Sequence, residues 1–214
     1  MAGPGEGILH GYFRSSATWR VRIALHLKGL PYRRVGHHLL KGEQRDPAYL
    51  ALNPQGLVPA LQIGDAVITQ SLAICEYLDE IVPEPPLLGS DPVGRAHVRA
   101  FAFAIACEIH PLQNVGVLDR LRGLGLGQDA VLRWTRDTIA RGFSACEKLL
   151  DPSGPFCFGD RPTLADICLV PQMANARRYG VELEWPLLQR IEAHCLEHPA
   201  FAETQPGREP DFEA

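Results

Sequence analysis

LNPQGLVPALQIGDAVITQSLAICEYLDEI, residues 52–81, decides the architecture of the first half of the chain. VPAL (58–61) and AVIT (66–69) are short runs of strand-forming residues on either side of a Gly64-Asp65 turn, the pattern of a β-hairpin. Ser71 then reads as the cap of an amphipathic helix carrying Leu72, Ile74, Cys75, Leu78 and Ile81. Upstream, ILHGYF (8–13) is rich in strand formers, and apolar residues recur at Trp19, Ile23, Leu27 and Leu30 with helical spacing. YRRVGHHLL (32–40) reads as a second strand, so the first part of the chain is βαβ followed by ββα.

Between the first strand and first helix stand two hydroxyls, Ser15 and Ser16, and one of them serves as a helix cap. Arg20, Arg22, Lys28 and Arg34 are expected to be solvated. A helix that starts just after a strand also presents free N–H groups and the positive end of its dipole to any anion held there. Serine hydroxyls at such a place can donate to a thiolate.

VPEPPLLGSDP (82–92) is too rich in proline for a helix or central strand and reads as a linker, with Asp91-Pro92 as a helix start. Beyond it the spacing predicts helices throughout. Val93, Ala96, Ala100, Phe103, Ala104 and Cys107 line one face of the first; Val98, Phe101, Ile105 and Ile109 line a second. Pro111 should bend or end this helix, GLGLG (123–127) precedes the next, and Thr163 with Asp166 has capping-box spacing. The division that follows is a first domain over 1–82, a linker over 83–91 and a helical domain over 92–214. The tail from Gln205, polar and proline-bearing, is expected to be poorly ordered.

The 214 residues, 46% hydrophobic, suffice for a sizeable core, and a net charge of −4 argues against a nucleic-acid partner. No run approaches the roughly 18 uninterrupted apolar residues of a membrane span, and MAGPGEG at the start has no leader character. A soluble, cytoplasmic protein with no membrane partner is expected. The 6 cysteines are scattered without a CxxC pair and read as reduced core residues; the 8 histidines show no metal spacing, so no metal is expected.

SSATWRVRIAL (15–25), NPQGLVPAL (53–61), QSLAICEYL (70–78), IHPLQN (109–114) and NARRYGVEL (175–183) resemble the motifs of zeta-class glutathione transferases. The similarity spans nearly the whole chain. It implies a thioredoxin-like βαβ–ββα domain followed by an all-helical domain, glutathione as cofactor, and a two-fold homodimer. In many zeta-class members the third position of the serine motif is cysteine, and here it is Ala17. Any thiol role there is lost, while the serine to which the family assigns thiol activation stays.

The resemblance further implies a glutathione-dependent cis-trans isomerase acting on maleylacetoacetate in tyrosine and phenylalanine breakdown. The alternatives are maleylpyruvate isomerisation in gentisate catabolism, or a general transferase acting on electrophilic or α-halo acids. A cis double bond between carbonyl and carboxylate rotates once a nucleophile has added to it, and glutathione is that nucleophile. By family position, Ser15 stabilises the thiolate with Ser16 beside it, and Gln44 lies near the glycyl end. Val58 offers backbone hydrogen bonds ahead of a cis Pro59, and Gln70 and Ser71 hold the γ-glutamyl carboxylate. His110, Asn114, Val115 and Gly116 edge the glutathione site from the second domain, and Arg14 and Arg178 hold the carboxylates of a dicarboxylate keto-acid substrate.

Overall fold

The computed structural model describes residues 6–150 and 153–212 and divides into two compact units. The first comprises the chain up to Leu87 together with the C-terminal stretch from His198; the second is Leu88–Glu197.

The first unit holds a four-stranded sheet of order β2-β1-β3-β4. Strands β1 (Gly7–Gly11) and β2 (Tyr32–Gly36) run parallel through the crossover helix α1 (Ser16–Leu27). Short α2 (Pro47–Leu52) precedes β3 (Ala60–Ile63), which pairs antiparallel with both β1 and β4 (Ala66–Thr69). Helix α3 (Ser71–Ile81) closes the motif against α1. The fold class read from the sequence holds: a mixed sheet with helices, then a helical unit. A side chain at Gly11 would collide with Thr18, so the end of β1 can approach α1 only as glycine.

Three sequence expectations are corrected here. Arg20 and Arg22 are each 1% exposed and Lys28 is 6% exposed. Lys28 spends its three protons on Asp79 Oδ1 (2.6 Å), the Val82 carbonyl (2.7 Å) and the Pro85 carbonyl (2.5 Å), tying α1 to the end of α3 and the residues after it. Arg22 donates to the Thr204 and Phe13 carbonyls at 3.1 and 3.2 Å and pairs with Glu209. Secondly, the tail through Phe212 is ordered. Trp19 Nε1 donates to Thr204 Oγ1 at 3.0 Å, Phe212 meets the Phe13 ring edge-on, and Glu209 is buried. Residues 213–214 lie outside the described part, and the segment from His198 belongs with the first unit, where the sequence division ran the helical domain to 214. Thirdly, Ser71 is not a cap: Gln70 occupies that position and Ser71 is the first residue of α3.

The second unit is helical: α4 (Pro92–Phe103), α5 (Val115–Gly123), α6 (Gln128–Leu149), α7 (Leu164–Arg178) and α8 (Pro186–Glu197). A four-residue helix, α9 (Pro199–Ala202), follows in the first unit and contacts α1. Asp91 caps α4 as expected, and α4 then widens into a π-helical turn, Ala104–Ile109, before Pro111 ends it. Pro92–Gly123 matches a membrane span in length and hydropathy, but the stretch is interrupted at His110–Asn114 and packs against α6 and α7. The capping box at Thr163 forms, and fully buried Asp166 accepts from the Cys157 N–H, the Thr163 N–H and the Thr163 hydroxyl at 2.7, 2.7 and 2.9 Å. Burial pushes the Asp166 carboxyl up, against the pull of those donors. Five cysteines are buried and form no disulfide among the described residues, whereas Cys107 is exposed, against expectation.

Candidate active site

In the first unit the site is built on two helix N-termini and the loop before β3. Ser15, in extended conformation (φ −69°, ψ 116°), is the residue that caps α1; its Oγ accepts from the Thr18 N–H at 3.1 Å. As acceptor in that bond, the hydroxyl keeps its own proton for donation. Ser16 opens the helix and is buried, and it lies one turn before Arg20 on the same face of α1. Arg14, half-buried, places its guanidinium 5.1 Å from the Phe13 ring centre.

The Val58-Pro59 peptide is cis, as expected. Its approach is fixed by the Leu57 carbonyl, which accepts from the Tyr49 hydroxyl at 2.5 Å and from Asn53 Nδ2 at 2.7 Å. Both pins come from α2 and its end, and sequence reading missed them. Val58 itself makes no backbone hydrogen bond among the described residues, so its N–H and C=O are open to a peptide-like ligand. Gln44 sits in a short turn, Glu43–Arg45, half-buried, with its side-chain carbonyl unpartnered among the described residues.

At the start of α3, Gln70 has φ 69°, a positive value that a non-glycine residue adopts at a cost of order 1 kcal/mol or more. Its side chain is exposed and donates to Gln55 Oε1 at 2.8 Å. No side chain caps α3, which leaves its first-turn N–H groups available to an anion. Ser71 is buried, and its Oγ accepts from Arg20 Nη1 at 3.4 Å, joining the serine-bearing helix α1 to the N-terminus of α3. Arg20, like Arg22 and Lys28, reads from sequence as solvated, and of the three it is the one that meets Ser71. An arginine within an apolar helical run was the available signal.

In the second unit His110 follows the π-helical turn, and its N–H reaches back to the Ile105 carbonyl at 2.9 Å. Asn114 caps α5 through the Val115 N–H at 2.8 Å, so Val115 and Gly116 form the first turn of that helix. A π-turn ahead of these residues is a local irregularity of the kind that recurs at functional sites. Arg178 ends α7, exposed, with its guanidinium 5.0 Å from the Tyr179 ring centre and Nη2 3.3 Å from the Tyr179 hydroxyl.

The sequence profile of the glutathione S-transferase N-terminal domain matches residues 14–81, and that of the C-terminal domain matches 116–201. Maleylacetoacetate isomerase of Pseudomonas aeruginosa is 48% identical over 96% of this chain and 99% of its own. A holo maleylpyruvate isomerase, described as a bacterial zeta-class glutathione transferase, superposes with TM-score 0.94 at 44% identity, over 96% of this chain and 100% of that one. Maleylacetoacetate isomerase of Methylobacterium extorquens AM1, solved with bound malonate and glutathione, gives TM-score 0.93 at 38% identity over 97% and 100% of the two chains. With both domain profiles matched and relatives similar from end to end, the chain belongs to the zeta-class glutathione transferase and maleylacetoacetate isomerase family.

Proposed function

We propose that the protein is a glutathione-dependent cis-trans isomerase that converts maleylacetoacetate to fumarylacetoacetate, with Ser15 as the donor to the glutathione thiolate. The observation that carries this reading is the state of Ser15: the hydroxyl is fixed by the Thr18 N–H at 3.1 Å and keeps its proton at a helix N-terminus that favours negative charge.

The open polar groups suit glutathione. Val58 offers peptide-like hydrogen bonds, the uncapped start of α3 with Gln70 and Ser71 suits a carboxylate, and the spare Gln44 carbonyl can accept from a peptide N–H near the glycyl end. Glutathione supplies a sulfur nucleophile whose addition lets the cis bond rotate. A free thiol titrates near about 8.5, so Ser15 acts by lowering that value, with the α1 dipole helping. Ser16 supports the same helix start. Arg14 and Arg178 bind the two carboxylates of the keto-acid and stabilise the negative charge that grows on its carbonyl oxygen. His110, Asn114, Val115 and Gly116 contribute to glutathione binding from the second unit. We take the protein to act as a cytoplasmic homodimer.

Maleylpyruvate is the second reading, favoured by the likeness to the zeta-class maleylpyruvate isomerase; conjugation of electrophilic or α-halo acids is a side activity compatible with the same thiolate. Measuring kcat/KM for maleylacetoacetate, maleylpyruvate and a chlorinated acid, each with glutathione, decides among them. A value highest for maleylacetoacetate supports the assignment. A preference for either other substrate replaces it.

A further inference from the structure

Three buried cations lie along α1 and at its C-terminal cap, and one of them differs from the others. Lys28 and Arg22 each hold an acidic partner and two carbonyls. Arg20 is as deeply buried, at 1% exposure, yet among the described residues no carboxylate pairs with it and Nε and Nη2 bind nothing. Among the described residues the guanidinium makes one hydrogen bond, the 3.4 Å contact from Nη1 to Ser71 Oγ, longer than a good N–H···O bond. A buried charge left this way is costly. The uncapped N-terminus of α3 sets a second positive source at the same point, which raises the cost further. Both costs fall when an anion meets Ser71.

We propose that Arg20 is a positioning residue for the carboxylate at the γ-glutamyl end of glutathione, acting through Ser71; this rests on the glutathione-dependent reading above. As Ser71 Oγ accepts from the guanidinium, its own proton is turned toward the ligand, and the first-turn N–H groups of α3 complete the donor set. The positive φ of Gln70 belongs to the same device, because it sets the direction in which the helix start faces. Arg20 therefore selects for the α-carboxylate of the ligand and contributes little to the rest of it.

The test is calorimetric titration of the full-length protein with glutathione, with its glycyl amide, and with 4-aminobutanoyl-cysteinylglycine, which lacks the α-carboxylate. Arg20→Met should weaken glutathione and the glycyl amide by about tenfold or more, the scale of a charge-assisted bond, and leave the third ligand unchanged. Without ligand, Arg20→Met should unfold at a midpoint no lower than wild type, since an uncompensated charge has gone, while the rise on adding glutathione shrinks. Arg20→Lys should recover part of the selectivity, and Ser71→Ala should reproduce its loss if Arg20→Met fails to fold. Equal weakening of all three ligands, or a ligand-free protein destabilised by Arg20→Met, would assign Arg20 a structural role and overturn the proposal. Failure of the wild-type protein to bind glutathione at all would instead overturn the functional reading.

Discussion

Arg177 and Glu192 form a two-pronged ion pair in which the carboxylate is 4% exposed and the guanidinium 50% exposed. Hydrogen bonding to Glu192 pushes the Arg177 guanidinium up. Arg177 thus holds α7 to α8, while its neighbour Arg178 stays exposed beside Tyr179. The two adjacent arginines should fail differently. Arg178→Ala should lower kcat/KM by about ten- to a hundredfold with stability unchanged. Arg177→Ala strands a buried carboxylate and should cost about 1 kcal/mol or more in urea denaturation, held below the range for fully buried pairs by solvent at the guanidinium. Kinetic loss at Arg177 alone, in a stable protein, would move the substrate role to that residue.

Acid should loosen the first unit through His10 and His37. Their rings bond at 3.0 Å, Nδ1 to Nε2, and the His37 ring lies tilted with its centre 4.2 Å from that of Tyr49, the residue that pins the Leu57 carbonyl. Burial pushes both histidines down; the His37 charge and then Arg33 add to this at His10 against a Gln62 hydrogen bond, and Glu43 and Asp46 oppose it at His37. Groups whose folded values lie below their unfolded ones give stability that is present above about pH 6.5 and lost as pH falls from there. His37→Phe keeps a ring on Tyr49 and removes one titrating partner. Its denaturation midpoint should fall less than that of wild type between about pH 7 and pH 5. Identical slopes would remove the pair from the acid response.

By its resemblance to the zeta-class serine motif, the chain has Ala17 at a position where that motif often has cysteine, so cysteine chemistry should be dispensable. Cys107 is exposed and the other five thiols are buried, with burial pushing Cys146 up to about 12 and Cys157 and Cys195 up as well. Alkylation at neutral pH should label Cys107 alone, and turnover should survive once excess reagent is removed and glutathione restored. Activity lost in step with one modified thiol, in a folded protein, would expose a role for it.

Much of this was legible beforehand because it is local. The 58–69 hairpin, the Asp91 and Thr163 helix starts and the break at Pro111 follow from turn and cap chemistry within a few residues. What escaped depends on distant partners or on backbone angles. Arg22 reads as a solvated charge until Glu209 arrives from the far end of the chain, and the same contact orders a tail whose composition suggests disorder. The π-helical turn at Ala104–Ile109 has the composition of ordinary helix, and the positive φ that makes Gln70 rather than Ser71 the helix boundary leaves no mark in residue type. The serine pair and the motifs at 58–59 and 70–71 mark candidate positions by residue type alone, but the buried guanidinium that ties α1 to Ser71 required the packing of α1 on α3.

The most direct test of the account is isomerisation of maleylacetoacetate by wild type and Ser15→Ala, each with and without glutathione, alongside a stability measurement. The substitution removes one cap, worth about 1 kcal/mol, and the proposed thiolate donor. Turnover should require glutathione in wild type and fall to a small residue in a folded Ser15→Ala protein, with Ser16→Ala milder. Turnover without glutathione, or near-wild-type rates in folded Ser15→Ala, would contradict the account.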